Sequence, residues 1–239
     1  MQEVPAGGSL RQVARRKSQR GQHLLLQRAD LPHSYRSQRA RQLISETSDD
    51  VWIASRSDED DVAAVITLAF CADPMVQWIF PNPRHRMTTF MRLVLLYGGR
   101  AFDHGSAYVV GNFAGAALWL PPGVTPEEEQ MTRLFEQNVE KDVLRTYLSL
   151  FEKTSAYHPS EAHWSLPLIG VDPAQHGKGI GGKLMAHALA ACDQDQELAY
   201  LESTNRANLS LYKRHGFRLL AELQVGQSPK KFAMLREPL

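Results

Sequence analysis

The chain has 239 residues, a net charge of +1, two cysteines and 43% hydrophobic residues. That is enough for one domain with a full core, with or without an appendage, and the composition is that of an ordinary soluble globular protein. Cys71 and Cys192 lie far apart with no C-x-x-C neighbour, which excludes a cysteine-rich zinc site and supports no disulfide framework. No apolar run reaches the roughly 18–20 residues that span a bilayer, so a cytoplasmic setting without membrane association is expected.

Charge is unevenly spread. Up to Ser45 there are nine Lys/Arg against two acids, whereas the rest carries 18 basic and 24 acidic residues. Residues 1–45 are rich in Arg, Gln and Ser and bury too little apolar surface to offset their ordering entropy. They are expected to form a basic, disordered tail with at most a short helix around Leu24 to Ala29, ahead of a folded domain over 46–239. Leu24-Leu25-Leu26 is too short for a secretory signal. A transit peptide, a plain tail, a start codon placed too early and a nucleic-acid arm remain alternatives, and basic composition alone is weak support for the last.

VWIAS (51–55) reads as a strand, and the acidic run Ser57 to Asp61 caps a helix through Ala69. Pro74, Pro81 and Pro83 punctuate the apolar turn Met75 to Phe80, and Arg86 to Tyr97 is amphipathic, ended or loosened by Gly98-Gly99. Tyr108 to Val110 and Ala114 to Leu120 are strands joined by a turn at Gly111-Asn112. Thr125 to about Lys153 is a long helical stretch broken once. Ala162 to Val171 is strand-like, with Pro167 and Gly170 suiting a bulge. Lys178 to Cys192 is helical after a glycine loop, with Leu184, Ala188 and Ala191 on one face. A buried strand at Leu198 to Leu201, a short helix from Asn208 to His215 and strands at Phe217 to Leu223 and Lys231 to Leu235 complete the chain.

HGKGIGG (176–182) fits three phosphate-cradling patterns: the dinucleotide G-x-G-x-x-G, most of the triphosphate G-x-x-x-x-G-K-[ST], and the G-x-G core of a coenzyme A loop. The dinucleotide pattern has an acid, Glu202, at a suitable distance. However, that motif needs its strand to run directly into the first glycine, and Asp172 to Gln175 intervene. The triphosphate pattern needs a hydroxyl after Lys183, where Leu184 stands.

VDPAQHGKGIGGKLM followed by LESTNRANLSLYKRHGF resembles the GNAT superfamily of acetyl-CoA-dependent N-acetyltransferases. The glycine loop matches that family's R/Q-x-x-G-x-G/A motif, and Asn208, Tyr212, Gly216 and Phe217 match its C-terminal signature. AFCADPMVQWIFP (69–81), AALWLPPG (116–123) and HWSLPLIGVDP (163–173) are similar to the puromycin N-acetyltransferase-like branch. The resemblance covers about residues 51–237. It implies a mixed α/β (α+β) domain with a central, largely antiparallel mixed sheet whose central strands splay apart, flanked by helices. One position departs from the pattern: the family's Arg/Gln falls on His176, with Gln175 one place early.

The resemblance also implies a site. His176, Gly177, Lys178, Gly179, Ile180, Gly181, Gly182 and Lys183 would hold the coenzyme A pyrophosphate. There the backbone donors of a helix N-terminus favour an anion and glycines admit close approach. Lys178 and Lys183 would add charge, or be solvated surface residues. Leu168, Ile169, Gly170 and Val171 would pair with the pantetheine arm along the splayed strand. Tyr212 would protonate the thiolate expelled when an amine attacks the thioester, the alternative being a packed core tyrosine. Asn208 would fix the coenzyme or cap its helix.

Glu202 is the first candidate for the base, followed by His163 and Glu161. Against these stand a strand-end salt bridge for Glu202 and a structural role for His163. Asp73 would hold a cationic substrate or serve as a plain helix N-cap. With Cys71 and Cys192 read as buried packing residues, transfer would be direct, without a covalent intermediate or a metal. Acetyl-CoA is the expected co-substrate and a small-molecule or peptide amine the acceptor. A homodimer is left open, and a nucleic-acid partner is not favoured. The alternative from another class is a non-catalytic acyl-CoA-binding sensor on the same fold.

Overall fold

The computed structural model describes residues 50–239, so the expected tail and its helix near Leu24 lie outside the described residues. The domain begins with β1 (Val51–Ile53) and α1 (Glu59–Ala69). Glu59, Asp60 and Asp61 lie in the first turn of α1, where the helix dipole favours them. Two proline-started helices follow, α2 (Pro74–Ile79) and α3 (Pro83–Gly98). Asp73 and Asn82 cap them, each accepting two backbone N–H bonds just ahead.

The hairpin β2 (Ala107–Val110) and β3 (Gly115–Leu120) leads into α4 (Glu128–Asn138) and α5 (Lys141–Ser155). The single break expected in the long helical stretch falls at Val139-Glu140, where Glu140 caps α5 through the N–H groups of Asp142 and Val143. β4 (His163–Val171), α6 (Ile180–Asp195) and β5 (Leu198–Ser203) form the crossover unit. The chain closes with α7 (Leu209–Arg214), β6 (Arg218–Leu223) and β7 (Lys231–Arg236).

The seven strands form one sheet in the order β1-β2-β3-β4-β5-β7-β6. Only β4 and β5 pair in parallel; every other neighbour is antiparallel. One face packs on α1 to α5 through residues such as Ile66, Val94 and Leu150, the other on α6 and α7 through Leu184, Met185 and Leu209. This is the mixed, largely antiparallel architecture that the resemblance implies. Among the described residues, no helix is long and apolar enough to cross a membrane.

β4 carries the irregularity that shapes the site. Leu118 pairs with Leu168, but Leu120 pairs with Ser165, so β4 spends one extra residue around Leu166-Pro167. Pro167 has no N–H to give to a ladder, and a bulge is where a strand tolerates that. A one-residue insertion also reverses which way the following side chains point. Trp164 and Leu166 join the core under α6, whereas Leu168 joins the core under α1 to α5.

Gly170 has a different reason from the bulge expected for it. It sits in regular register with Ala116, and a Cβ there would lie 2.8 Å from Ala69 Cβ and 3.1 Å from Ile66 Cα. Glycine at this position lets α1 lie directly on the strand.

Candidate active site

The parallel ladder between β4 and β5 runs from His163–Leu198 to Leu166–Leu201 and then stops. β4 continues along β3 as far as Val171, while β5 continues along β7 with Glu202 and Ser203. The two central strands therefore part at the bulge, and Glu202 stands at the point of parting.

The N–H of Asp172 donates to Ala114 O at 3.0 Å, which places that residue's hydrogen-bonding groups on the β3 side. Alternation along an antiparallel pair gives Gly170 and Leu168 the same direction and turns the backbone groups of Ile169 and Val171 into the gap. Of the four predicted strand positions, Ile169 thus turns both backbone groups toward a ligand and Val171 its N–H, the Val171 carbonyl being met by His176. Leu168 and Gly170 contribute by packing instead.

The glycine loop follows. Gly177 and Gly179 have φ of 80° and 78°, with nothing within 4 Å of a Cβ at either, so their left-handed backbone rather than crowding calls for glycine. Gly179 occupies the N-cap position, and the first α-helical bond of α6 runs from Lys183 N–H to Gly179 O at 3.0 Å. The N–H groups of Ile180, Gly181 and Gly182 therefore open the helix with no carbonyl one turn earlier to accept them.

The His176 side chain is engaged at the end of β4. Its Nε2 bonds Val171 O at 3.1 Å, bracing the loop against the end of β4. Lys178 is exposed and donates to Gln175 Oε1 at 2.7 Å, and Lys183 is half-buried.

Tyr212, on α7, is buried at 5% exposure and lines a cavity of about 110 Å³. Asp73, Ile169, Glu202, Ser203 and Asn208 line it too. Burial raises the Tyr212 phenol above its ordinary value of 10.0, and the charge of Asp73 adds to this, while a bond with Ser203 opposes it. The phenol thus holds its proton at neutral pH. Asn208 occupies the N-cap position of α7 without making a side-chain cap bond, which leaves its amide at the cavity wall.

Asp73 fills the helix N-cap role while also lining the cavity. One oxygen accepts the N–H groups of Met75 and Val76, and the other accepts the Thr204 hydroxyl at 2.6 Å. Burial raises its carboxyl above the usual value of 3.8, against those three bonds.

Glu202 is not an isolated carboxylate. It pairs with the buried Lys231 of β7 and accepts the Tyr200 hydroxyl at 3.0 Å. Burial, the largest single influence, lowers the Lys231 ammonium, but the charge and hydrogen bond of Glu202 together with the Tyr147 phenol outweigh it, and the group is raised above 10.5. The expected strand-end salt bridge is thus present, and its partner, 29 residues downstream, carried no signal in the sequence.

Beyond Glu202 a larger cleft of about 540 Å³ opens between α4, α5 and the β4–β5 surface. His163 lies on its wall with its Nδ1 on Glu161 O at 2.7 Å, and because a carbonyl can only accept, Nδ1 carries a proton. His158, which sequence reasoning passed over, stands 4.6 Å from both the His163 and Tyr200 rings. Burial and then His163 push His158 below 6.5. Tyr97, Tyr147 and Pro167 line both cavities, so the two meet where β4 and β5 part. Cys192 is buried as expected, but Cys71 is only half-buried, its thiol on Thr67 O; neither borders these cavities. Among the described residues no group of three or more His, Cys, Asp or Glu could hold a metal ion.

Residues 142–219, which run from α5 through the glycine loop to α7, match the model of the acetyltransferase (GNAT) domain. An uncharacterized N-acetyltransferase of Schizosaccharomyces pombe is 26% identical over 200 residues, covering 76% of this chain and 80% of that protein. A Corynebacterium glutamicum structure, described as histone acetyltransferase HPA2 and related acetyltransferase, superposes with a TM-score of 0.58 at 22% identity, over 81% of this chain and 98% of that one. A Drosophila melanogaster polyamine N-acetyltransferase superposes with a TM-score of 0.59 at 14% identity, over 78% and 98%. The fold is shared with both structures. Residues 142–219 thus resemble a GNAT acetyltransferase domain, and the match and the relatives indicate an acyltransferase enzyme.

Proposed function

We propose, from the premise that this chain carries a GNAT acetyltransferase domain, that it moves an acetyl group from acetyl-CoA directly to a primary amine. GNAT acetyltransferases use acetyl-CoA as co-substrate. The observation that carries the proposal is the parting of β4 and β5 with Tyr212 and Glu202 lining the cavity it opens. The residues present fit the coenzyme. Ile169 and Val171 turn edge groups into the gap for an amide-bearing arm, and the N–H groups of Ile180 to Gly182 face outward from a helix N-terminus for a pyrophosphate. The sequence stretches at 69–81, 116–123 and 163–173 support the puromycin N-acetyltransferase-like branch by resemblance alone.

In this reading the amine arrives through the larger cleft and meets the thioester at Pro167. Glu202 accepts the ammonium proton, directly or through a water, on the lone pairs that Lys231 and Tyr200 leave unused. His163, farther along the same wall, is the next acceptor. Tyr212, kept protonated by its burial, donates to the departing thiolate. Asn208 positions the coenzyme beside it. The test is mass-spectrometric detection of acetylated product from acetyl-CoA and a panel of primary amines. Saturable acetyl-CoA binding with no product from any amine would return the chain to the acyl-CoA sensor reading.

A further inference from the structure

The acceptor has a chemistry that the larger cleft defines, and this inference rests on the transferase reading above. Its walls are apolar and aromatic: Met131 and Phe135 from α4, and Leu144, Tyr147, Leu148 and Phe151 from α5. Leu148 and Phe151 are 53% and 55% exposed although they continue the apolar strip of α5 through Leu144 and Tyr147, and both face this cleft. Apolar surface left open beside a site is stabilised by an apolar occupant.

The charges are equally selective. Among the described residues no lysine or arginine lines the cleft, while Glu128, Glu136 and Glu202 do. Lys231 lies behind this wall, its Nζ 5.7 Å from the centre of the Phe151 ring, but it lines the small cavity and its charge is already paired with Glu202. A carboxylate or phosphate on the acceptor would therefore meet hydroxyls and the His158 and His163 rings but no lysine or arginine among the lining residues, with Glu128, Glu136 and Glu202 on the same walls. An ammonium at the inner end would instead meet Glu202, with its body against Tyr147 and Phe135.

We infer that the acceptor is a primary amine at one end of a hydrophobic, ring-sized body lacking a carboxylate or phosphate, bound between α4 and α5 with its nitrogen at Glu202. Free amino acids, phosphorylated amines and extended polyamines are excluded by the same features. A free amino acid would strand its carboxylate, and a polyamine would lay further ammonium groups along apolar walls.

Matched pairs that differ in one group provide the test. Acetylation rates by the full chain are compared for phenethylamine against phenylalanine, tryptamine against tryptophan, and both amines against spermidine. The expected result is kcat/KM roughly 100-fold or more higher for each decarboxylated member, since a carboxylate stripped of water gains no cationic partner in the cleft. Leu148→Arg, at an exposed position, places a cation in the cleft and is expected to narrow the phenethylamine-to-phenylalanine ratio about 10-fold or more, with the KM for acetyl-CoA unchanged. Equal or better turnover of the amino acids or of spermidine overturns the inference while leaving the transferase reading intact. A ratio that does not move in Leu148→Arg also overturns it. Acetyl-CoA binding without turnover of any amine overturns the transferase reading itself, and this inference falls with it.

Discussion

Breaking the Glu202–Lys231 pair is expected to cost far more than deleting it whole. The two side chains are only 12% and 7% exposed, so neither charge has water to fall back on. Glu202→Gln strands a buried ammonium, and Lys231→Met strands a carboxylate that keeps only the Tyr200 hydroxyl. Each single change is expected to destabilise by about 3–5 kcal/mol, whereas the double variant should lie within about 1 kcal/mol of the parent. Urea unfolding midpoints for the four proteins form a double-mutant cycle, and the expected coupling is at least about 5 kcal/mol. The coupling is pH-dependent with a defined sign. The Lys231 ammonium is raised above 10.5 in the folded chain, so its contribution is full below 10.5 and is lost as pH rises through the higher folded value. Activity separates the pair's two roles: the double variant should regain stability but remain slow, because the proton acceptor is gone. Additive single effects, or singles that cost under about 1 kcal/mol, would refute the buried-pair argument. A fully active double variant would remove Glu202 as the base.

Three further outcomes follow from the packing. Gly170→Ala places a methyl against Ala69 Cβ and the Ile66 backbone, and should lower stability by about 1–3 kcal/mol in thermal or urea unfolding. Gly179→Ala meets no atom but must hold φ near 78°, so it should cost about 1–2 kcal/mol and weaken acetyl-CoA binding in calorimetry. Arg236 holds Asp193 through Nη1 and Nη2, each at 2.8 Å, joining β7 to the end of α6. That bond depresses the Asp193 carboxyl, so its stabilisation is present above 3.8 and fades as pH falls through the lower folded value. The stability gap between parent and Asp193→Asn should therefore be widest near neutrality and close in acid.

The extent to which the site was legible in sequence varied with the distance over which each residue acts. Pro167 announced a bulge because its missing N–H is a property of the residue itself, and the parting of the strands follows directly from it. Gly177 and Gly179 were legible for the same kind of local reason. Gly170 looked like part of the bulge, but its cause is α1, whose Ile66 and Ala69 lie about a hundred residues earlier. Lys231 reaches Glu202 only because β7 lies beside β5, an adjacency that no local pattern encodes. His176 departed from the family pattern, and the structure shows it bonding Val171 O, a contact set by how the loop folds back. The apolar cleft face of α5 was legible only as part of a long helical stretch, because nothing local says which side of that helix meets β4 and β5.

The central claim is that Tyr212, across the parted strands, protonates the departing thiolate. The most direct test is single-turnover acetyl transfer by Tyr212→Phe, with coenzyme A affinity measured in parallel by calorimetry. The expected result is a rate lowered by about 100-fold or more, the usual contribution of a positioned general acid, with affinity for the coenzyme within a few-fold of the parent. A transfer rate unchanged in Tyr212→Phe would contradict the claim and leave Tyr212 as a packed core residue.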